Sequence, residues 1–130
     1  MDIEIAALCD AATEQAGKLN LLGTFDRITS PQFPFMHPLC SVVYRIRFNW
    51  SEQGAHAFKV NFIDADGRPI MPPLENRMNI SIPEKRESSV ANVILMIQGL
   101  RFSAPGLYAI DLTVDGAPQR SLPLTIEKGG

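Results

Sequence analysis

The stretch LCSVVYRIRFNW, Leu39–Trp50, decides the fold class of this 130-residue chain. Every second residue in it is apolar: Cys40, Val42, Tyr44, Ile46, Phe48 and Trp50. Most positions between them are polar, as at Arg45 and Arg47. Side chains of an extended strand point alternately to its two faces, so a period of two is typical of a half-buried strand. The stretch therefore predicts a strand whose apolar face, Trp50 included, packs into a core.

Similar alternation appears on both sides of this stretch, between segments typical of turns. The residues that follow, SEQG and then HAFKVNFID, predict a short turn and a second strand that forms a hairpin with the first. Further segments have strand character: DIEIAALC, KLNLLGTFDRI, NRMNISIP, SVANVILMIQGL, LYAIDLTV and RSLPLTIE. The only helix candidate is DAATEQAGK, whose short length favours a single turn or a loop. The chain is therefore expected to be all-β.

The number and spacing of these segments predict the architecture. About eight or nine strands separated by turn signals are typical of a sandwich or a barrel. We predict one domain over residues 1–130, a two-sheet antiparallel β-sandwich with immunoglobulin-like connectivity. A closed up-and-down barrel is the alternative.

A tyrosine in RFSAPGLYAIDLTVDG, Arg101–Gly116, favours the sandwich. Antibody-type sandwiches carry a Tyr near the start of strand F, whose hydroxyl bonds to the backbone a few residues upstream. Tyr108 stands after a Pro-Gly break at the entry of a strand, so we expect it to have a structural role. Ile110 occupies the position of the immunoglobulin cysteine, so the match is to the architecture and not to the antibody family. If this strand lies beside the quoted one, Asp111 projects next to Arg45 and Arg47.

Composition and charge exclude several function classes. The net charge of −2 lacks the Lys/Arg excess of a nucleic-acid-binding surface. No apolar run approaches the roughly 18 residues of a membrane-spanning helix. Asp2 and Glu4 are acidic where a signal peptide would carry positive charge, which predicts a cytoplasmic location. Cys9 and Cys40 are then expected to be buried free thiols.

Motifs for catalysis or metal binding are absent from the sequence. The two histidines, His37 and His56, have no neighbouring pattern of a nucleophile, and no Cys/His cluster with zinc spacing occurs. The DADG segment, 64–67, has no further carboxylates at calcium-loop spacing and is read as a turn. We therefore predict no catalytic residue, no cofactor and no metal.

A proline-rich loop, SPQFPFMHPLC over residues 30–40, is unusually apolar. Its candidate interface residues are Phe33, Phe35, Met36 and His37. Apolar side chains left in water cost about 25 cal/mol per Å², so they either cap one end of the core or form a contact with a protein partner. The segment 71–74, MPPL, poses the same choice, and proximity of the two loops would favour the interface.

Three short pieces carry a resemblance to a known family: LCDA at 8–11, GKLN at 17–20 and GTFD at 23–26. Together with RIRF and the later DADG, they make the chain similar to a family of small uncharacterised bacterial single-domain proteins, grouped as a domain of unknown function. The resemblance covers most of the chain and implies a bacterial, intracellular, β-rich protein. It implies no activity, cofactor or catalytic residue.

Charged residues in the same segment are candidates for a polar cluster. Asp10, Lys18 and Asp26 come together if the loop between their strands brings the strand ends close. The alternative is that both aspartates bond the backbone N–H groups of their own turns. Gly23 is expected to permit a bulge or a close approach of another backbone.

These features favour a non-enzymatic protein-interaction or structural module, acting through self-association or a protein partner. The alternative function is binding of a small ligand, a carbohydrate or an anion, with an enzyme as a third class. Exposure of Phe33, Phe35 or Met36 would favour an interaction module, whereas converging polar groups near Asp10 and Asp26 would favour a ligand site.

Overall fold

The computed structural model describes all residues from 1 to 130 and contains nine strands in two sheets. Sheet A has four strands in the spatial order Lys18–Thr24 (β2), Asp2–Gln15 (β1), Phe35–Asn49 (β4) and Ser88–Phe102 (β7). Sheet B has five, in the order Arg27–Ser30 (β3), Ala117–Lys128 (β9), Gly106–Val114 (β8), Gly54–Ile63 (β5) and Leu74–Ile80 (β6). The predicted all-β, two-sheet class is confirmed. The sheets end in free edge strands and form no closed barrel, although sheet B curls into a half-barrel.

Strand pairing follows the prediction with one exception. Six of the ladders are antiparallel, including the long β4–β7 pair, which runs from Phe35–Phe102 to Asn49–Ser88. The β3–β9 pair is parallel, so the prediction of antiparallel pairing throughout is wrong.

No helix is long and apolar enough to cross a membrane.

One hydrophobic core of 18 buried residues lies between the sheets. Its largest fully buried side chains are Tyr44 and Phe48 of β4, Phe62 of β5 and Phe102 of β7. The even-numbered residues of the quoted stretch face this core as predicted, except at its end. Trp50 begins a 3₁₀ turn, Trp50–Glu52, and is 51% exposed, so the prediction that it packs inside is wrong.

The predicted hairpin between β4 and β5 is also wrong. β4 belongs to sheet A and β5 to sheet B, and the turn at Trp50–Glu52 carries the chain from one sheet to the other. The alternating pattern is the same whether the two strands form a hairpin or lie in different sheets, because each strand presents one face to the shared core in either case.

The segment DAATEQAGK is neither a helix nor a loop. Its first part continues β1 to Gln15, and its last residue opens β2, so the two strands form a long hairpin. The carbonyl oxygen of Gly17, in the hairpin turn, accepts hydrogen bonds from Arg45 of β4 at 3.5 Å and from Asn92 of β7 at 3.2 Å. The end of the hairpin therefore folds back over the outer face of sheet A, and we call residues 11–22 the arm.

The predicted pairing of Asp111 with Arg45 and Arg47 is wrong because these residues lie on different sheets. Both arginines bond instead to Glu4 of β1, Arg45 Nε at 3.0 Å and Arg47 Nε at 2.7 Å. Asp111 accepts a hydrogen bond from Ser121 on its neighbouring strand.

Candidate functional site

The predicted interface residues divide between the two faces of sheet A. Phe33 and Phe35 are half-buried against the core, where the ring of Phe35 stacks on that of Phe102 at 6.3 Å. His37 lies on the same side, 6.2 Å from the ring of Phe35. Met36 points outward and is 54% exposed. The structure thus places the aromatic members of the group on the core and leaves the methionine at the surface.

A shift in the alternation of β7 accompanies this division. Ile97 and Leu100 are both buried although they are three residues apart, so the in–out pattern moves by one position between them. Gly99 lies at the shift with φ of +70°, a conformation that favours glycine. A Cβ atom at position 99 would lie 3.4 Å from the Sδ atom of Met36, so Met36 covers this glycine.

Three exposed apolar side chains lie on the outer face of β4 and β7, and we call them the methionine patch. Met96 is 67% exposed, Met36 is 54% exposed and Leu39 is 43% exposed. Met96 lies opposite Ser41, and Leu39 lies opposite Gln98, in the β4–β7 ladder. Exposed apolar side chains that gather on one surface mark contact sites more often than isolated ones do.

The other edge of β7 is unpaired along its whole length. β7 forms a ladder with β4 alone, and it ends sheet A. None of the turn and loop hydrogen bonds, and no side-chain hydrogen bond, involves a backbone group of β7 at that edge. The N–H and C=O groups that point away from β4 are therefore available to a further strand.

The charge pattern distinguishes this edge from the edge of sheet B. The outer strand of sheet B, β6, carries Glu75 and Arg77, and Glu75 lies 3.6 Å from Lys59. From Ser88 to Leu100, β7 has no charged residue. Natural proteins protect edge strands with charges, prolines or short lengths, and the Ser88–Leu100 part of β7 has none of these. The outer edge of β7 is therefore unpaired, and from Ser88 to Leu100 it carries no charge.

Side chains on both faces of β7 are incompletely buried. The strand is half-buried at every position from Ser88 to Leu95, including the inward Val93 and Leu95. On the opposite sheet, Met78 and Ile80 of β6 are also only half-buried against the core. Apolar side chains are therefore only partly covered at both of these edge strands.

The predicted polar cluster is only partly assembled. Asp10 lies beside Gly23, where a Cβ atom would be 2.5 Å from the Oδ2 atom of Asp10. This is the close approach expected at Gly23, which has φ of +68°. Lys18 pairs with Gln15 at the far end of the arm and forms no ion pair with either aspartate. Asp26 lines a neighbouring cleft of about 480 Å³.

Asp10 and His37, which were predicted in separate groups, line one open cleft of about 380 Å³. Arg27 lines it as well and forms an ion pair with Glu127. The Nε2 atom of His37 is buried and has no hydrogen-bond partner. In this cleft the structure brings together polar side chains near the predicted cluster.

The two apolar loops meet at one point. Pro34 of the first loop and Ile70, next to the second, line a common cleft of about 440 Å³. Met71 is half-buried against the core, so this part of the second loop covers the core rather than extending the methionine patch.

Tyr108 contacts the backbone upstream of its strand. Its hydroxyl donates a hydrogen bond to the carbonyl oxygen of Ala104 at 2.7 Å, and its ring meets that of Phe102 edge-on at 5.0 Å. Partial burial raises the pKa of its phenol, against the opposing effect of the Ala104 hydrogen bond. The side chain thus ties the β7–β8 turn to the start of β8.

The strongest pKa shifts belong to groups buried in the fold. Burial raises the pKa of the Cys40 thiol to about 11 and, further still, the pKa of the Tyr44 phenol. Cys9 and Cys40 are both buried free thiols. No group of three His, Cys, Asp or Glu side chains lies close enough to hold a metal ion.

The exposed Met96 and Leu39 and the unpaired edge of β7 were not predicted from the sequence. A signal for them was present in SVANVILMIQ, where Val90, Ile94 and Met96 are apolar on the same strand face as the polar Asn92 and Gln98. A strand that is apolar on both faces is typical of burial on both sides or of a contact surface. Which strand ends a sheet depends on topology and was not contained in the pattern.

The fold and this surface define a small, all-β, two-sheet protein with one unprotected edge. The chain belongs to the family of unknown function DUF6941, whose model matches residues 4–127. The resemblance drawn from the sequence motifs to a family of unknown function is thereby confirmed. Among curated proteins, none matches the chain.

Proposed function

We propose that this protein is a non-enzymatic protein-interaction module whose contact surface is the open edge of β7 together with the methionine patch. The observation that carries the proposal is the length of unpaired, uncharged backbone along β7. Addition of a strand to such an edge is a common mode of protein recognition, in which backbone hydrogen bonds supply affinity and side chains supply specificity. The methionine side chains beside the edge adapt readily to a partner surface.

We also propose that the sandwich has immunoglobulin-like connectivity. In immunoglobulin domains one sheet has the order A-B-E-D, and the other contains G-F-C, extended by C′ in variable domains. The order β1-β4-β7 fits A-B-E, and the order β9-β8-β5-β6 fits G-F-C-C′. The hydrogen bond from Tyr108 to Ala104 supports the assignment of β8 as strand F. No strand corresponds to strand D, which would pair with the outer edge of β7.

A cytoplasmic location fits the same proposal. Cys9 and Cys40 are buried as free thiols, and stable free cysteine pairs are typical of a reducing compartment. Fractionation of the cells that make the protein tests this location, and recovery with secreted proteins would contradict it.

The interaction is tested by placing a photo-crosslinking residue at Met96 and, as a matched control, at Leu107. Both side chains are 67% exposed, but Leu107 lies on β8 of sheet B, away from the proposed surface. Irradiation in the cells that make the protein should yield a discrete adduct from position 96 and none from position 107. Equal labelling at both positions, or no adduct at either, would contradict the proposal.

The second candidate function is binding of a small carbohydrate or anion in the cleft lined by Asp10, Arg27 and His37. The buried Nε2 atom of His37 without a partner favours it, because such atoms in folded proteins are usually satisfied. Titration of isotope-labelled protein with monosaccharides, phosphate and sulfate should shift the amide resonances around these residues. Asp10→Asn should weaken the shifts, and Asp66→Asn, in an exposed turn, should leave them unchanged.

A further inference from the structure

We propose that the partner at the open edge is a second copy of this chain, with the two β7 strands paired antiparallel about a two-fold axis. The inference rests on the proposed interaction function and specifies its partner. The regular part of β7, Ser88–Gln98, precedes the shift at Gly99 and presents an unbroken ladder edge. A two-fold axis brings this edge onto itself and leaves no free edge on either β7.

The side chains of β7 complement one another in the register that overlaps Ser88–Gln98 fully. This register places Val93 at the axis, so that residues whose numbers add to 186 face each other. On the inner face, the small Ala91 then meets Leu95. On the outer face, Val90 meets Met96, and the polar Ser88 meets the polar Gln98. These three pairs join a small with a large residue or a polar with a polar one, which is the pattern that stabilises neighbouring strands. In the same register Ser89 meets Ile97, and Asn92 meets Ile94.

Charge favours a copy of the same chain at this edge. Self-pairing brings residues near the two-fold axis close to their own copies, so a charge there would lie beside a like charge, and directly opposed like charges destabilise a sheet. Ser88–Gln98 contains no charged residue, so self-pairing has no such cost in any register. The net charge of the whole chain, −2, also gives little repulsion between copies.

The size of the contact is adequate for a stable dimer. At about 3.4 Å per residue, the paired segment is about 37 Å long and would form roughly ten backbone hydrogen bonds, as many as a typical protein interface has. The half-buried inner side chains lie on one side of this ladder and Met96 of the methionine patch lies on the other, and both add apolar area. An extended segment of another protein would gain the same hydrogen bonds, whereas the second copy is distinguished by the side-chain pairs that β7 forms with itself in this register.

The register is tested by spin labels placed singly at Val90, Met96 and Gln98, with distances measured between the two copies. Cys9 and Cys40 are buried and do not compete for a thiol-reactive label. Positions 90 and 96 lie equally far from the axis, so they should give equal separations of about 20 Å along the strands. Position 98 should give a separation larger by about 14 Å.

Sedimentation of the purified full chain tests the association itself. The wild type should form a dimer, Met96→Lys should raise its dissociation constant at least about tenfold by analogy with protective edge lysines, and Leu107→Lys should leave it unchanged. A wild type that stays monomeric to millimolar concentration, or a dimer whose label distances do not follow this order, would overturn the inference.

The two proposals fail in distinguishable ways. A photo-adduct at position 96 with twice the mass of the chain supports both. An adduct at position 96 of a different mass, with a monomeric purified chain, supports the interaction function and overturns the second copy as partner. Absence of any adduct together with a monomeric chain overturns both.

Discussion

The hydroxyl groups of the two tyrosines differ in their hydrogen bonding. The hydroxyl of Tyr108 donates to Ala104, whereas that of Tyr44 is buried and has no hydrogen-bond partner. Removing a bonded hydroxyl costs about 0.5–1.5 kcal/mol, whereas removing a buried unsatisfied one recovers its desolvation cost. We expect Tyr108→Phe to lower the free energy of unfolding by about 1 kcal/mol, and Tyr44→Phe to leave it unchanged or raise it. Urea denaturation of both variants checks this, and equal losses would contradict it.

Two acceptors favour the charged form of His56. Its Nδ1 atom lies 2.6 Å from Oδ2 of Asp115, and its Nε2 atom lies 2.5 Å from the carbonyl oxygen of Glu52. The Glu52 carbonyl and then the Asp115 carboxylate raise the pKa of the imidazole above its ordinary value of 6.5. The hydrogen bond from His56 also lowers the pKa of Asp115. The contact links the start of β5 to the β8–β9 turn.

A pH dependence of stability follows from this contact. The folded pKa of His56 lies above the unfolded value, so its stabilisation is complete below about pH 6.5 and is lost as the pH rises through the folded pKa. The difference in unfolding free energy between wild type and His56→Asn should therefore be larger at pH 6 than at pH 9. Asp115→Asn, which keeps the turn geometry, should reduce this difference, and a difference independent of pH would contradict the assignment.

At the scale of elements, the arm is a strand pair that covers the outer face of sheet A. Val43 is fully buried although it lies on that face, and Leu19 and Leu21 of the arm are half-buried. Their neighbour Leu22 points away and is 70% exposed. The alternation along β2 thus assigns Leu21 to the side that faces the sheet.

Leu21→Ala and Leu22→Ala test this placement with the same change on opposite faces of one strand. Leu21→Ala should destabilise the protein by roughly 1–2 kcal/mol, less than a fully buried leucine, because part of its apolar area is already exposed. Leu22→Ala should stay within about 0.5 kcal/mol of the wild type. Thermal and urea denaturation measure both, and a larger loss at Leu22 would show that the arm faces the other way.

The sequence predicted the strands better than their partners. Alternation in residues 39–50 and 106–114 depends only on which face is buried, so these strands could be located from residue type alone. Pairing depends on contacts between distant segments, and for that reason the β4–β5 hairpin and the Asp111–Arg45 pair were wrong. Glu4 could not be recognised as the partner of the arginines, because it reaches them only through the β1–β4 register.

Part of the candidate site could be predicted for the same reason. The apolar loop at residues 33–37 was identified by composition, and Met36 does lie at the surface. Composition could not separate Met36 from Phe35, because the shift at Gly99 and the β4–β7 register decide which side each one takes. The open edge of β7 depends on strand order, which no local pattern contains.

At the scale of the molecule, the sheet edges are protected unequally. β3 is only four residues long, and β6 carries charges on its strand. β2 lies at the end of the arm and begins with Lys18. The Ser88–Leu100 part of β7 combines length, apolar character and absence of charge, a combination that exposes a sheet to pairing with another chain. A chain with one such edge can pair it with the same edge of one other copy, and the dimer then has no unpaired β7 edge. Dimerisation therefore removes the exposure without forming larger assemblies.

This arrangement predicts that thermal stability depends on protein concentration. Anything that binds the folded state alone stabilises it by mass action, and for a dimer the second copy is the ligand. Each tenfold increase in concentration should raise the wild-type Tm by roughly 2–4 °C. Met96→Lys should show a weaker dependence of Tm on concentration, since the lysine disfavours pairing at the edge while the monomer keeps its core. Leu107→Lys should behave as the wild type, and calorimetry across a hundredfold concentration range that gives one constant Tm for all three proteins would contradict a dimer formed through β7.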